Sequence, residues 1–267
     1  MISSIAHPTD LSEQGTAAFE HALSLALANR CRLDLLHVDE PGDRPDWDDF
    51  PQVRQTLQRW GILAPGAPID AVYTTTGVKV RKVGIHDRDP VAGLAHYLEE
   101  KHSDLIVMAT RGRAGIDRLF SSSVTAGLVQ ALRVPTLILG PAARSFVNPA
   151  DGSLAIRKVL VPLDHDPDPH AALHVIEQIA GNLGLTLDLV HVGAHPLVLR
   201  KTPEGPRTVR TLEGPVVETL LAEALAADLV AMPMVGAQGL VDALKGSTTE
   251  RVLRDVTCPV LALPVTR

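Results

Sequence analysis

Two short stretches of this sequence combine residue types suited to holding a phosphate. In one, Gly112 is followed by nine residues and then Ser122-Ser123, with Thr125 close behind. In the other, Gly236 is followed by nine residues and then Gly246-Ser247-Thr248. A helix-like apolar pattern comes next in both: Leu128, Val129 and Leu132, then Val252, Leu253 and Val256. A helix N-terminus offers unpaired N–H groups and the positive end of a dipole, which together suit an anion. Small residues let a phosphate approach the backbone, and the hydroxyls of Ser123, Thr125, Ser247 and Thr248 can add hydrogen bonds. The first turn also carries Arg111, Arg113 and Arg118, whereas the second offers only Lys245. Helix capping accounts for a single such turn, and Ser247-Thr248-Thr249-Glu250 is itself a capping box. Its recurrence after a second apolar run points to phosphate chemistry.

The elements that must position these turns are themselves repeated. LDLLHV at 33–38 returns as LDLVHV at 187–192, an offset of 154 residues. Pro8-Thr9-Asp10 matches Pro162-Leu163-Asp164 at the same offset. DLIVM at 104–108 matches DLVAM at 228–232 at an offset of 124, which then holds for Gly112 and Gly236, Ser123 and Ser247, and Pro135 and Pro259. The second copy is therefore shorter by 30 residues after its second strand. The order in each copy is strand, helix, strand, then strand, helix, strand, helix, strand. Near-continuous Val, Ile and Leu runs read as strands of a parallel sheet buried on both faces. Ala18, Phe19, Ala22, Leu23 and Ala26 carry helical spacing, as do Leu173, Ile176 and Ile179. Asp168-Pro169 fits a helix start. The fold class is α/β: two doubly wound, five-stranded parallel-sheet domains in tandem. Residues 1–140 form the first domain, 141–155 a linker rich in Pro and small residues, and 156–267 the second. The extra residues of the first copy fall within 39–77, where 52–60 reads as a short helix. A packed crossover and an exposed arm both fit this segment, which holds Trp47 and Trp60.

Composition narrows the function. A formal net charge of −6 and the lack of any lysine-rich run argue against nucleic acid as a partner. No stretch approaches the ~20 apolar residues of a membrane span. The opening MISSIAHPTD is unlike a signal peptide. Two cysteines, Cys31 and Cys258, make no disulfide framework, so a reduced cytoplasm is expected. His165-Asp166 followed by His170 has metal-binding residue types, but no second cluster completes a site and it reads as a solvated loop; no metal ligands are expected. His37 and His191, closing buried strands, read as structural.

With these motifs in place, the chain resembles a tandem universal stress protein. ATP-binding members of that family carry G-x2-G-x9-G-[ST] after the fourth strand. The resemblance runs from Ile2 to Val265. It includes the Pro-x-Asp after the first strand, the His-Val closing the second, and the Pro before the last. It implies an adenine nucleotide α-hydrolase-like fold. It also implies ATP or another adenine nucleotide as ligand, with Mg²⁺ as a possible companion. Asp10 and Val38, or Asp164 and Val192, would hold the adenine and ribose side, beside Met108 or Met232. The glycine turns would hold ribose and phosphates. This chain departs from the pattern: Ala109 and Ser122 replace two glycines in the first copy, and Pro233 replaces one in the second. A Cβ at Ser122 obstructs a close approach and Pro233 lacks a donor N–H. At most one working site is expected, in the second copy, or none. The family's pairing through its last strand, here PTLILG and PVLALPV, implies an internal pseudo-dimer, with a further homodimer or another protein as additional partner. No P-loop, nucleophile elbow or Mg²⁺-holding carboxylate set follows the turns, so little or no catalysis is expected beyond slow hydrolysis. An adapter without nucleotide is the alternative.

Overall fold

Alternating apolar strands and amphipathic helices in this chain have one economical solution, helices packed on parallel strands. A computed structural model describes residues 2–12, 15–39, 46–110, 128, 134–166, 168–180, 184–199, 207–235 and 248–265. The chain divides into two compact units, Met1–Ala109 with Ser145–Ala155, and Thr110–Arg144 with Ile156–Arg267.

In the first unit, β1 (Ser4–Pro8), β2 (Arg32–Asp39), β3 (Lys79–His86) and β4 (Leu105–Ala109) form parallel pairs in the order β3-β2-β1-β4. Helix α1 (Thr16–Asn29) follows β1 and buries an almost continuous run from Ala18 to Ala26, as its packed alanines and leucines predict. It ends at Arg30 in the left-handed region, φ 48°, whose N–H returns to Leu27. The insertion forms α2 (Val53–Arg59) and α3 (Ala71–Thr76) and packs as a crossover: Phe50, Leu57 and Trp60 are buried, although Trp47 is half exposed. The Trp60 Nε1–H donates to the Pro149 carbonyl. Helix α4 (Pro90–Lys101) starts at Asp89, whose carboxylate accepts from the Val91 and Ala92 N–H groups ahead of a first-position Pro.

The second unit has the order β8-β7-β6-β9-β10-β5. Its strands are β6 (Lys158–Pro162), β7 (Thr186–Val192), β8 (Arg210–Leu212), β9 (Leu229–Val235), β10 (Val260–Val265) and β5 (Thr136–Leu139). All pairs are parallel except β5 with β10, which run antiparallel with Ile138 opposite Val260. The last strand of the first repeat thus lies against the last strand of the second, and Ile138 joins a core with Leu160, Val190, Val230 and Val252. Helix α5 (Pro169–Ala180) begins where Asp168-Pro169 predicts, the Asp168 carboxylate accepting from the His170 N–H. Helices α6 (Val216–Ala224) and α7 (Thr248–Asp255) complete it. Strand β9 runs past Pro233, further than DLVAMP suggests. Beyond Val230 its partners among the described residues lie on β10, with Pro233 opposite Leu263.

The repeat extends to individual hydrogen bonds. The Asp104 carboxylate accepts from the Ser3 and Ser4 N–H groups, and the Asp228 carboxylate from those of Arg157 and Lys158. Asp34, with no exposed surface, holds Arg81 in a two-toothed pair across β2 and β3. Asp188 holds Arg210 the same way across β7 and β8.

Candidate functional site

In open parallel sheets, ligands sit beyond the carboxyl ends of the strands where the winding direction reverses. Here that point falls between β1 and β4, and again between β6 and β9. Each Pro-x-Asp turn leaves its strand at this edge, and the neighbouring strand clamps it. The Thr9 N–H donates to the Leu36 carbonyl (2.8 Å), and His37 Nδ1–H donates to the Thr9 carbonyl (2.8 Å). In the second repeat the Leu163 N–H donates to Val190 (2.8 Å), and His191 Nδ1–H to Leu163 (3.0 Å). A carbonyl only accepts, so each imidazole carries its proton on Nδ1. The two structural histidines expected from the sequence thus aim the aspartates that follow.

Asp10 is exposed and its Oδ1 accepts from the Ser12 N–H (3.0 Å) and hydroxyl (2.6 Å). Leu11 sits between them at φ 61°, unusual for a residue with a branched side chain. Asp164 is also exposed, with Oδ1 accepting from the His165 N–H at 2.7 Å. Val38 and Val192 are half-buried at the ends of β2 and β7, paired with Ile85 and Leu212. Met108 and Met232 are buried within β4 and β9. Thr248 opens α7. Arg111, Gly112, Ser122, Ser123, Thr125, Gly236, Gly246 and Ser247 lie outside the described residues, as do Arg113, Arg118 and Lys245. The strand ends therefore bring Asp10 and Val38 to one edge, with Met108 one residue before the end of β4, and Asp164 and Val192 to the other, while Met232 lies inside β9.

In the first unit a cleft of about 220 Å³ opens beside the Asp10 turn. Thr9, Leu11, Ser12, Gly15, Thr16 and Phe19 line one side, and Asp49, Pro51, Gln52 and Thr56 of the insertion the other. Gly15 starts α1, and among the described residues no side chain caps it. The described cleft is smaller than the ~300–1,000 Å³ usual for small-molecule sites. Its hydroxyls and N–H groups suit a ribose or base edge. Beneath β1, His7 donates Nδ1–H to the Val107 carbonyl, and burial pulls its pKa down to about 4. It is neutral near pH 7 and adds no positive charge to this edge.

At the second edge, His165, expected from the sequence to be a solvated loop residue, stands beside His191, and Gly193, which carries no sequence signal of its own, lies against the His191 ring. Aligning the copies at an offset of 154 pairs them with Leu11, His37 and Asp39. Only the substitution pattern between the copies carried a signal.

Comparison with known proteins agrees with this architecture. The Universal stress protein family matches residues 1–140 and 198–264. The chain belongs to that family, with two family regions in tandem. Among solved structures, a universal stress protein from Archaeoglobus fulgidus DSM 4304 superposes with a TM-score of 0.66 at 20% identity, covering 98% of this chain and 96% of that one. A functionally unknown protein from Pseudomonas aeruginosa PAO1 gives a TM-score of 0.64 at 18% identity, over 98% of this chain and 92% of that one. At these identities the likeness is one of fold. No curated protein matches the sequence.

Proposed function

We propose that this chain is a cytoplasmic stress-response protein that binds ATP or another adenine nucleotide at the edge of its second repeat. Asp164 and Val192 take the adenine and ribose side near Met232, while Gly236, Gly246, Ser247 and Thr248 take ribose and phosphates. What supports this reading is the strand order around β6 and β9, with Asp164 held at the reversal point by the His191 clamp. The first repeat, with Ser122 in place of a glycine, is kept for pairing. The antiparallel run of β5 beside β10 supports an internal pseudo-dimer whose repeat boundaries are 1–140 and 156–267. No helix among the described residues is long and apolar enough to cross a membrane.

Calorimetry with ATP and with AMP tests the site. Binding weakened at least about tenfold, or ~1.4 kcal/mol, by Asp164→Ala and by Gly246→Val is expected. Unchanged affinity in both variants moves the site to the first repeat. The broken glycine patterns favour one other reading, a nucleotide-free adapter. It predicts no heat with either nucleotide and no adenine-absorbing material released when the purified protein is denatured.

A further inference from the structure

We propose that the carboxyl edge of the second repeat holds a divalent transition-metal ion of the zinc class, bound by Asp164, His165 and His191. One ligand atom from each of these residues lies within 4.8 Å of those of the others. The rings of His165 and His191 stand edge to face, 5.3 Å between centroids. Two imidazoles and a carboxylate are the donor set of zinc sites that keep a fourth position for water. Tetrahedral ligands about 2.0–2.1 Å from a zinc lie closer together than these atoms do, so the two exposed side chains must swing inward.

His191 is prepared for this role. Its Nδ1–H is committed to the Leu163 carbonyl, which leaves the lone pair on Nε2. Metal-bound histidines are commonly fixed by such a bond from the other ring nitrogen. The ring is buried, so its orientation is set by packing. The space beside Nε2 exists because residue 193 is glycine: a Cβ there would lie 2.6 Å from Nε2.

The first repeat is an internal control. Its equivalent histidine, His37, makes the same Nδ1 bond, but Asp39 stands where the second repeat has Gly193, 3.4 Å from Nε2. Leu11 stands where the second repeat has His165. On a shared scaffold, one copy fills the position beside Nε2 with its own carboxylate, while the other opens it and adds a second imidazole. Structural service to the turn explains the histidine in both copies. It does not explain those two differences.

The proposal does not rest on nucleotide binding, and His165 has no part in that reading. The full chain, stripped with a chelator and free of nucleotide, is titrated with Zn²⁺ by calorimetry and with Co²⁺ by visible absorption. One Zn²⁺ per chain is expected, with the intense Co²⁺ bands of tetrahedral coordination. His165→Leu, the first repeat's residue, should weaken Zn²⁺ at least about tenfold, the range that even supporting residues of a metal site command. Asp164→Asn should do the same. Neither residue is buried, so the metal-free variants should keep the wild-type melting temperature. Absence of one-to-one binding, or equal Zn²⁺ affinity in wild type and both variants, overturns the site and leaves adventitious histidine binding.

Discussion

Single buried histidines make the fold sensitive to acid. His21 donates Nδ1–H to the Ala17 carbonyl while its Nε2 accepts the Phe146 N–H, against whose ring it packs edge to face at 4.4 Å. Burial lowers its pKa to about 4, as it does for His7. Protonation at Nε2 would replace an acceptor with a second donor facing the Phe146 N–H. Because the folded value lies below the unfolded ~6.5, the stabilisation is present above pH 6.5 and is lost as pH falls towards 4. Each histidine should contribute on the order of 3 kcal/mol to that loss. Urea midpoints measured from pH 7 to pH 4 should fall across this window, less steeply in His7→Leu; a flat profile would contradict it. The thiols of Cys31 and Cys258 are pushed up to about 11 by burial, so neither is a ready nucleophile at neutral pH.

Elements are joined by a few polar and steric locks. The Asp34–Arg81 pair ties β2 to β3, and its carboxylate has no exposed surface. Removing it leaves the guanidiniums of Arg81 and Arg32 facing a buried gap. Asp34→Ala should therefore cost about 3–5 kcal/mol in urea denaturation. The matching Asp188→Ala should cost less, about 1 kcal/mol, because the Asp188 carboxylate is 14% exposed where Asp34 has no exposed surface, and water screens the pair. Equal costs would show that the exposure difference is irrelevant. Trp60 is the lock between α2 and the segment 145–155. Gly152 has φ 71°, and a Cβ on it would sit 2.3 Å from the indole ring. Gly152→Ala should lower stability by about 2 kcal/mol, through an unfavourable φ and the displaced ring, read as a lower melting temperature. An unchanged melting temperature would mean that Trp60 is free to move.

At the scale of the whole molecule, repeats and compact units do not coincide. Strand β5 comes from the first repeat, yet it pairs with β10 and Ile138 sits in a core with Leu160 and Val252. Ile138→Ala should cost about 2–5 kcal/mol, as other large-to-small core changes do. In hydrogen exchange, lost protection should fall on β6, β9 and β10 more than on β1 and β2. Loss confined to residues 2–109 would place Ile138 with the wrong core.

Much of this was legible in the amino-acid sequence, and the reason is local. The alternation of Val/Ile/Leu runs with helical spacing, the Asp-Pro helix start and the offset of LDLLHV against LDLVHV depend on nearest neighbours and on period. They determined the α/β class, the two family regions and the edge on which Asp10 and Asp164 stand. Pairing across the sheet is not local. The antiparallel register of β5 on β10, that Asp34 meets Arg81, and that His165 meets His191 depend on register and side-chain direction. Only the tertiary structure decided those, because they bring together residues whose chain separation leaves no periodic trace.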